Sequence, residues 1–132
     1  MLTYYPLDAA FQVLPLADVP EHVDAMLDLA DGKPLHPLEA GYPSAAACGS
    51  SEAVHAGFVD ILRAKWRAHA AAIPSVNLVW LCDLDAETVE ALCAYYGSDA
   101  EAFAGFLGSL GLRTHAGELK PAWERLVQRR AR

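Results

Sequence analysis

The chain has 132 residues, 54% of them hydrophobic, and its ten basic and 17 acidic side chains give a formal net charge of -7. That size suits a single domain with a substantial core, and no run approaches the roughly 18 consecutive apolar residues of a membrane span. The only basic cluster is the terminal Arg129, Arg130 and Arg132. The sequence therefore predicts no nucleic-acid partner, because such partners need a positive surface to neutralise phosphates.

The cysteine and histidine spacings predict no metal and no cofactor. The three cysteines, Cys48, Cys82 and Cys93, form no C-x-x-C pair, and the five histidines include no H-E-x-x-H pair. An odd number of cysteines also argues against a disulfide framework, so we expect Cys82 and Cys93 to be small core residues. Cys48 lies in a loop rich in Gly, Ser and Ala, where it is either an exposed thiol or the partner of a cysteine outside this chain.

In chain order, the first predicted elements are a strand and a helix. Residues 2–7 begin as a β-type run that Pro6 stops. Apolar residues then recur at helical spacing over 19–30, with Pro20 suited to the first turn and Gly32 to the C-terminal end. The start of the chain has neither the positive n-region nor the apolar h-region of a signal peptide, and the sequence leaves the compartment unknown.

Two more strands and a long helix follow. Residues 34–40 form the second predicted strand, and Ser50 or Ser51 caps a helix with Glu52 in its first turn. The nearly continuous apolar run over 76–84 is typical of a strand covered on both faces in a parallel sheet. The buried face of the long helix is predicted to consist of Val54, Phe58, Ile61, Leu62 and Trp66.

The C-terminal third is predicted to be helical. Residues 85–97 are predicted to form a helix with Asp85 as its N-cap and Gly97 at its C-terminal end. Ser98 and Glu101 are predicted to form a capping box for a second helix over 103–110, which ends at Gly111. Pro121 opens a last helix. Alternating strands and helices indicate an α/β fold of three parallel βα units with extra C-terminal helices, whereas a closed barrel needs eight such units.

Glu39 is the candidate site residue. It lies at the end of the second predicted strand, directly before the backbone break at Gly41 and the turn at Pro43. The C-terminal ends of the strands are where a parallel α/β barrel carries its active site. The alternative is a solvated loop glutamate.

Several segments together carry a resemblance to a known family. They are TYYPLDAAFQV, KPLHPLEAGYPS with GSSE after it, VNLVWLCDL, and FLGSLGLRTHAGELKPAWERL. Their succession resembles the last three βα units of a glycoside-hydrolase-type (β/α)8 TIM barrel of the large retaining clan, especially its bacterial hydrolase-like members. The resemblance covers essentially all of residues 1–132. It implies that they form one domain, a C-terminal fragment of the barrel. Relatives of this type are often exported.

The resemblance implies roles for particular residues. Glu39 matches the strand-seven glutamate that is the nucleophile in that clan, and Tyr4 or Tyr5 would hold it through an O–H bond. Trp80 would offer a flat face to a sugar ring, with a core aromatic as the alternative. Asp83 is a candidate for contact with a sugar hydroxyl, whereas Asp85 is more simply a helix cap.

Tyr42, close after Glu39, would line the cleft or pack on its own loop. Carbohydrate is accordingly the expected partner.

The pattern also departs from the family. The acid carboxylate expected on the fourth strand would precede Met1, and Pro37 stands inside a strand, where proline removes a ladder hydrogen bond. These departures indicate a C-terminal fragment, or a truncated reading frame, that is inactive alone. The alternatives are a non-catalytic carbohydrate-binding module and a purely structural α/β module. In the fragment interpretation, open sheet edges and exposed Leu35, Leu78 and Trp80 would promote self-association.

Overall fold

A computed structural model describes residues 2–128 of the chain. This part is mixed α/β, with five helices and a two-stranded parallel sheet, rather than the three regular βα units predicted. Within the same residues, no helix is long and apolar enough to cross a membrane. The elements are β1 (Leu2–Tyr4), α1 (Val19–Ala30), β2 (Pro37–Ala40), α2 (Glu52–Ala68), α3 (Ala86–Tyr96), α4 (Glu101–Gly108) and α5 (Pro121–Val127), with 3-10 turns at Leu16–Asp18 and Ala46–Cys48.

The third predicted strand, over 76–84, is not a regular strand. Leu78 forms an isolated parallel bridge with Ala40 of β2, and Cys82 forms another with Arg113. Backbone hydrogen bonds of 2.8–3.1 Å join Asn77 and Val79 to β2. Because the run pairs with one neighbour in its first half and another in its second, neither pairing is long enough for a regular ladder.

Pro37 coincides with an irregularity in the sheet. Leu2 lies opposite Pro37 and Thr3 lies opposite Glu39, so Leu38 has no partner on β1. An extra unpaired residue of this kind is a β-bulge, and proline is tolerated at such positions because it has no N–H to donate. The sheet is therefore distorted next to Pro37, immediately before Glu39.

The core lies between one face of the sheet and the helices. Tyr4 and Ala40 are paired across the sheet and both are buried, and Tyr4 approaches the ring of Phe58 on α2. Helix α2 packs against both α1 and α5. Leu35 was expected to be exposed but is only 6% exposed and lies in this core. Its backbone N–H donates to the Ala72 carbonyl, which holds residue 35 beside the segment that follows α2.

Helix ends follow local capping chemistry in α1, α2 and α3. Pro20 lies in the first turn of α1, the Ser51 side chain accepts a hydrogen bond from the Val54 N–H, and Gly97 ends α3 with a left-handed φ of 64°. These three predictions are confirmed.

Helix α4 differs from its prediction. The Ser98 hydroxyl bonds to the N–H of Ala100, which lies before the helix, so Ser98 is no capping residue and the predicted capping box is wrong. The helix ends at Gly108 rather than Gly111. A Cβ at Gly111 would lie 2.2 Å from the Asp83 nitrogen, so this glycine permits close contact with the neighbouring backbone instead of closing a helix.

Candidate functional site

The carboxyl ends of β1 and β2 bring Tyr5 and Glu39 together. The two strands are parallel, with Thr3 opposite Glu39 and the buried Tyr4 opposite Ala40. Because side chains alternate along a strand, Tyr5 and Glu39 lie on the face opposite the buried Tyr4 and Ala40, away from α1 and α2. The Tyr5 hydroxyl donates a hydrogen bond of 3.1 Å to Oε2 of Glu39. These two strand exits therefore lie on one side of the sheet.

Tyr5 is held in place by its neighbours. A Cβ at Gly41 would lie only 2.8 Å from Cε1 of Tyr5 and 3.0 Å from the Val79 carbonyl oxygen, so the ring rests directly on the glycine backbone. On the other side, the Phe106 ring meets the Tyr5 ring edge-on, with centroids 5.1 Å apart. This packing fixes the direction of the phenol hydroxyl.

The electrostatics keep Tyr5 a hydrogen-bond donor. Burial raises the pKa of Tyr5 well above its ordinary value of 10.0, and the hydrogen bond to Glu39 and the charge of Glu39 raise it further. The phenol therefore stays protonated at any physiological pH. Glu39 itself is exposed, and the Tyr5 bond engages Oε2. The pair therefore consists of the solvent-accessible carboxylate of Glu39 and the neutral Tyr5 hydroxyl, which orients it by a hydrogen bond.

Asp83 is engaged in a structural ion pair. Its two oxygens lie 3.0 and 3.1 Å from Nζ of Lys120, and Oδ1 also accepts from the Gly111 N–H at 2.8 Å. Lys120 is 2% exposed and donates a further bond to the Ser109 carbonyl. With its oxygens bound in this way, Asp83 fits a packing role, and its contact with a sugar stays a prediction.

His55 and Lys120 are buried polar residues that the sequence did not single out as site candidates. His55 on α2 is 2% exposed, and its Nδ1 has no hydrogen-bond partner among the residues described. Burial lowers the pKa of His55 to about 4, and the charge of Lys120 adds to this. The imidazole is therefore neutral at pH 7. The only sequence signal for the burial of His55 is that this polar residue lies in a helix beside the apolar Val54, Ala56 and Phe58.

The other aromatic candidates take different positions. The hydroxyl of Tyr4 lies 3.1 Å from Nδ1 of His22 rather than near Glu39, because Tyr4 faces the helices. Tyr42 is 1% exposed and its hydroxyl donates to the Leu14 carbonyl at 2.9 Å, as the packing alternative expects. Trp80 is partly exposed, so both of its alternatives stay open.

Cys48 is a buried thiol, not an exposed one. It is fully buried, its Sγ donates to the Ala102 carbonyl at 3.2 Å, and burial raises its pKa. The reason is that Gly105 of α4 packs directly onto the loop around Cys48.

A cavity lined by three arginines lies apart from Glu39. A cavity of about 550 Å³ lies between α2 and α5, where Arg63, Arg67 and Arg125 line it. Arg63 donates to the carbonyls of Arg125 and Gln128 and so caps the C-terminal end of α5. In the region from Leu2 to Gln128, no three His, Cys, Asp or Glu side chains cluster in a way that could hold a metal ion.

No protein-family model, curated protein or solved structure matches this chain.

Proposed function

We propose that this chain is the C-terminal part of a carbohydrate-active, retaining glycoside-hydrolase-like barrel, in which Glu39 is the nucleophile. The observation that carries the proposal is the hydrogen bond between Tyr5 and Glu39 at the carboxyl ends of adjacent parallel strands. Active sites of parallel barrels are built at this rim. The resemblance of the sequence to that clan points to the same glutamate.

The order of pairing supports a barrel wall. β1 pairs with β2, Ala40 of β2 pairs with Leu78, and Cys82 pairs with Arg113, all in parallel. The segments in these three pairings follow each other in the chain and run the same way, as in the wall of a (β/α)8 barrel, whereas Arg113 also pairs antiparallel with Leu119. The remaining strands would continue this wall beyond β1.

The exposed part of the second sheet face supports the same proposal. Thr3 and Glu39 are exposed on the face opposite α1 and α2, although parallel sheets are normally covered on both faces. In a complete barrel this face would be the interior, and a strand-end glutamate would point toward the substrate.

The chemistry requires a nucleophile and an acid. A retaining glycosidase uses two carboxyl groups about 5 to 5.5 Å apart, one to attack the anomeric carbon and one to protonate the leaving oxygen. Tyr5 would orient Glu39 and stay neutral while the carboxylate attacks. Since Lys120 and the Gly111 N–H bind Asp83, the acid would come from an earlier strand of the longer protein.

The mass of the native polypeptide tests this proposal. Antibodies against the 132-residue chain should isolate a polypeptide much heavier than 14.2 kDa that hydrolyses aryl glycosides. The 132-residue chain alone should show no turnover, because losing the acid costs roughly 10² to 10⁴ in rate. A native polypeptide of 14.2 kDa that binds polysaccharide without hydrolysing it would instead favour the non-catalytic module.

A further inference from the structure

The cavity between α2 and α5 has the size and the charge of a site for a small anion. Its volume of about 550 Å³ falls within the roughly 300 to 1,000 Å³ of ordinary ligand pockets. Arg63, Arg67 and Arg125 line it, and Asp60 is the one acidic side chain among the described residues that do so. Three positive charges and one negative give this cavity, which we call the arginine cavity, a formal charge of +2, although the whole chain carries -7.

Helix α2 places Arg63 and Arg67 side by side. Residues four positions apart are neighbours on a helix surface, and two like charges at that spacing destabilise the helix. Arg67 is exposed, and no carboxylate between Leu2 and Gln128 forms an ion pair with it. An anion between the two guanidinium groups would replace their repulsion by attraction.

Arg63 is already fixed in position. Its guanidinium group donates to the backbone carbonyls of Arg125 and Gln128 at the end of α5. A guanidinium group has five N–H donors, so several remain for a ligand after these two bonds. Because the side chain is held before a ligand arrives, binding costs less side-chain entropy.

Arg125 is available to a ligand as well. Its Nη1 lies 3.4 Å from Oδ2 of Asp60, and the two side chains are 50% and 45% exposed. Such exposed ion pairs contribute little to stability. A doubly charged ligand can therefore take Arg125 from Asp60 at small cost.

The sequence concentrates further positive charge at this end of the chain. Arg129, Arg130 and Arg132 follow directly after Gln128, which lines the arginine cavity. An extended chain spans at most about 3.6 Å per residue, so these residues cannot lie far from it. Together with the three lining arginines they make up six of the ten basic side chains. Concentrated charge of one sign attracts ligands of the other.

We propose that the arginine cavity binds the phosphate-monoester group of a small organic molecule. A phosphate monoester carries about -1.5 to -2 charges at pH 7, which matches the charge of the cavity. Guanidinium groups also bind phosphate oxygens in pairs, through two parallel hydrogen bonds. Ile61 and Ala64 line the same cavity and provide an apolar wall for the organic part.

Isothermal titration calorimetry of the 132-residue chain at constant ionic strength tests the site. Phenyl phosphate should bind one molecule per chain. Inorganic phosphate should bind more weakly, because it leaves the apolar wall uncovered. Phenyl sulfate has the same ring but a single charge, and it should bind about tenfold more weakly than phenyl phosphate.

Substitutions at Arg67 test the role of the guanidinium group. Arg67→Gln should weaken phenyl phosphate binding about tenfold, because charge-assisted hydrogen bonds are lost. Arg67→Lys keeps the charge without the planar fork and should restore only part of the affinity. Lys33→Gln removes the same charge from an exposed lysine outside the cavity and should bind as wild type does.

Substitution of Asp60 should have the opposite effect. Asp60→Asn removes the carboxylate that competes for Arg125 and should tighten phenyl phosphate binding. Asp28→Asn removes the same charge from the exposed surface of α1 and should leave the affinity unchanged.

Three results would overturn the site. The first is no binding of either phosphate probe, or equal binding of phenyl phosphate by wild type and Arg67→Gln. The second is binding lost only when Arg129, Arg130 and Arg132 are replaced by glutamine, which would assign the anion to the end of the chain. The third is sedimentation with phosphatidylcholine vesicles that contain phosphatidic acid, without binding of phenyl phosphate, which would make the ligand a lipid surface.

Discussion

Gly41 determines whether Tyr5 can reach Glu39. The Tyr5 ring lies so close to the Gly41 backbone that a methyl group there would overlap Cε1 of Tyr5 and the Val79 carbonyl oxygen, at 2.8 and 3.0 Å. We predict that Gly41→Ala lowers the free energy of unfolding by about 1 to 3 kcal/mol, as overpacking of a dense site does. Urea unfolding followed by circular dichroism measures this loss.

Gly57→Ala is the matched control for that substitution. A Cβ at Gly57 would meet only the terminal Cδ1 of Leu16, which can move, and alanine favours the helix in which Gly57 lies. Its unfolding midpoint should therefore change less than that of Gly41→Ala. Equal stability of Gly41→Ala and wild type would show that Tyr5 is not held against this glycine.

His55 should make stability depend on pH. Its pKa is about 4 in the folded state and 6.5 in the unfolded state, so between these values the unfolded chain binds a proton that the folded chain excludes. The contribution of His55 to the free energy of unfolding is complete above pH 6.5 and is lost as the pH drops toward 4. The difference between the two pKa values corresponds to about 3 kcal/mol of that free energy. Urea midpoints at intervals from pH 7 to pH 4 measure the slope.

Substitution separates His55 from the other titrating groups. His55→Gln cannot be protonated, so its stability curve should be flatter than that of wild type between pH 6.5 and 4. If His55→Gln keeps the full slope, other groups must be responsible.

At the scale of elements, Lys120 joins three parts of the C-terminal half. It precedes α5, its backbone N–H bonds to the Leu112 carbonyl, and its ammonium group binds Asp83 and the Ser109 carbonyl. Removing one partner of a buried ion pair leaves a charge without compensation. We predict that Lys120→Met lowers the free energy of unfolding by about 3 to 5 kcal/mol.

A double substitution tests the cause of that loss. Asp83→Asn combined with Lys120→Met removes both charges and should recover part of the stability, while the asparagine can still accept from the Gly111 N–H. A double variant less stable than Lys120→Met would contradict the ion-pair explanation.

The helices could be predicted from the sequence because their signals are local. Pro20, Ser51 and Gly97 act on backbone groups within one turn, so each marks a helix end without reference to the rest of the fold. The run over 76–84 shows the limit of this reasoning. Its apolar residues predict an extended segment, but the exchange of partners between Leu78 and Cys82 depends on residues far away in the chain.

The candidate site, like the fold, could be predicted only in part from the sequence. Strand-end position identified Glu39, and the resemblance implied Tyr4 or Tyr5 as its neighbour, but only the register selects Tyr5. The ion pair of Asp83 with Lys120 joins residues 37 positions apart, and no local pattern indicates it. The same applies to the contact between Tyr42 and Leu14.

The described part of the molecule has a partly exposed sheet face and exposed apolar side chains. Leu38, Leu81 and Leu119 are each more than 40% exposed, and Thr3 and Glu39 occupy the open face. Open edges and apolar patches promote pairing between chains. We predict that the 132-residue chain self-associates, so that its sedimentation coefficient rises with concentration and an added quencher reduces the Trp80 fluorescence of the monomer.

Variants W66F/W123F leave Trp80 as the only tryptophan and make the quenching specific. A concentration-independent monomer with a sharply cooperative unfolding transition and a shielded Trp80 would indicate a domain that is complete without further strands.

Covalent labelling of Glu39 tests the central claim most directly. A 2,4-dinitrophenyl 2-deoxy-2-fluoroglycoside has a leaving group that departs without an acid, so a retaining nucleophile is trapped as its glycosyl ester. In the native polypeptide, peptide mass mapping should find the sugar on Glu39. The adduct should be absent in Glu39→Gln, slower to form in Tyr5→Phe, and unchanged in the exposed control Glu118→Gln. A sugar attached to a different carboxylate, or no adduct with glucosyl, xylosyl, galactosyl and mannosyl reagents, would contradict the account.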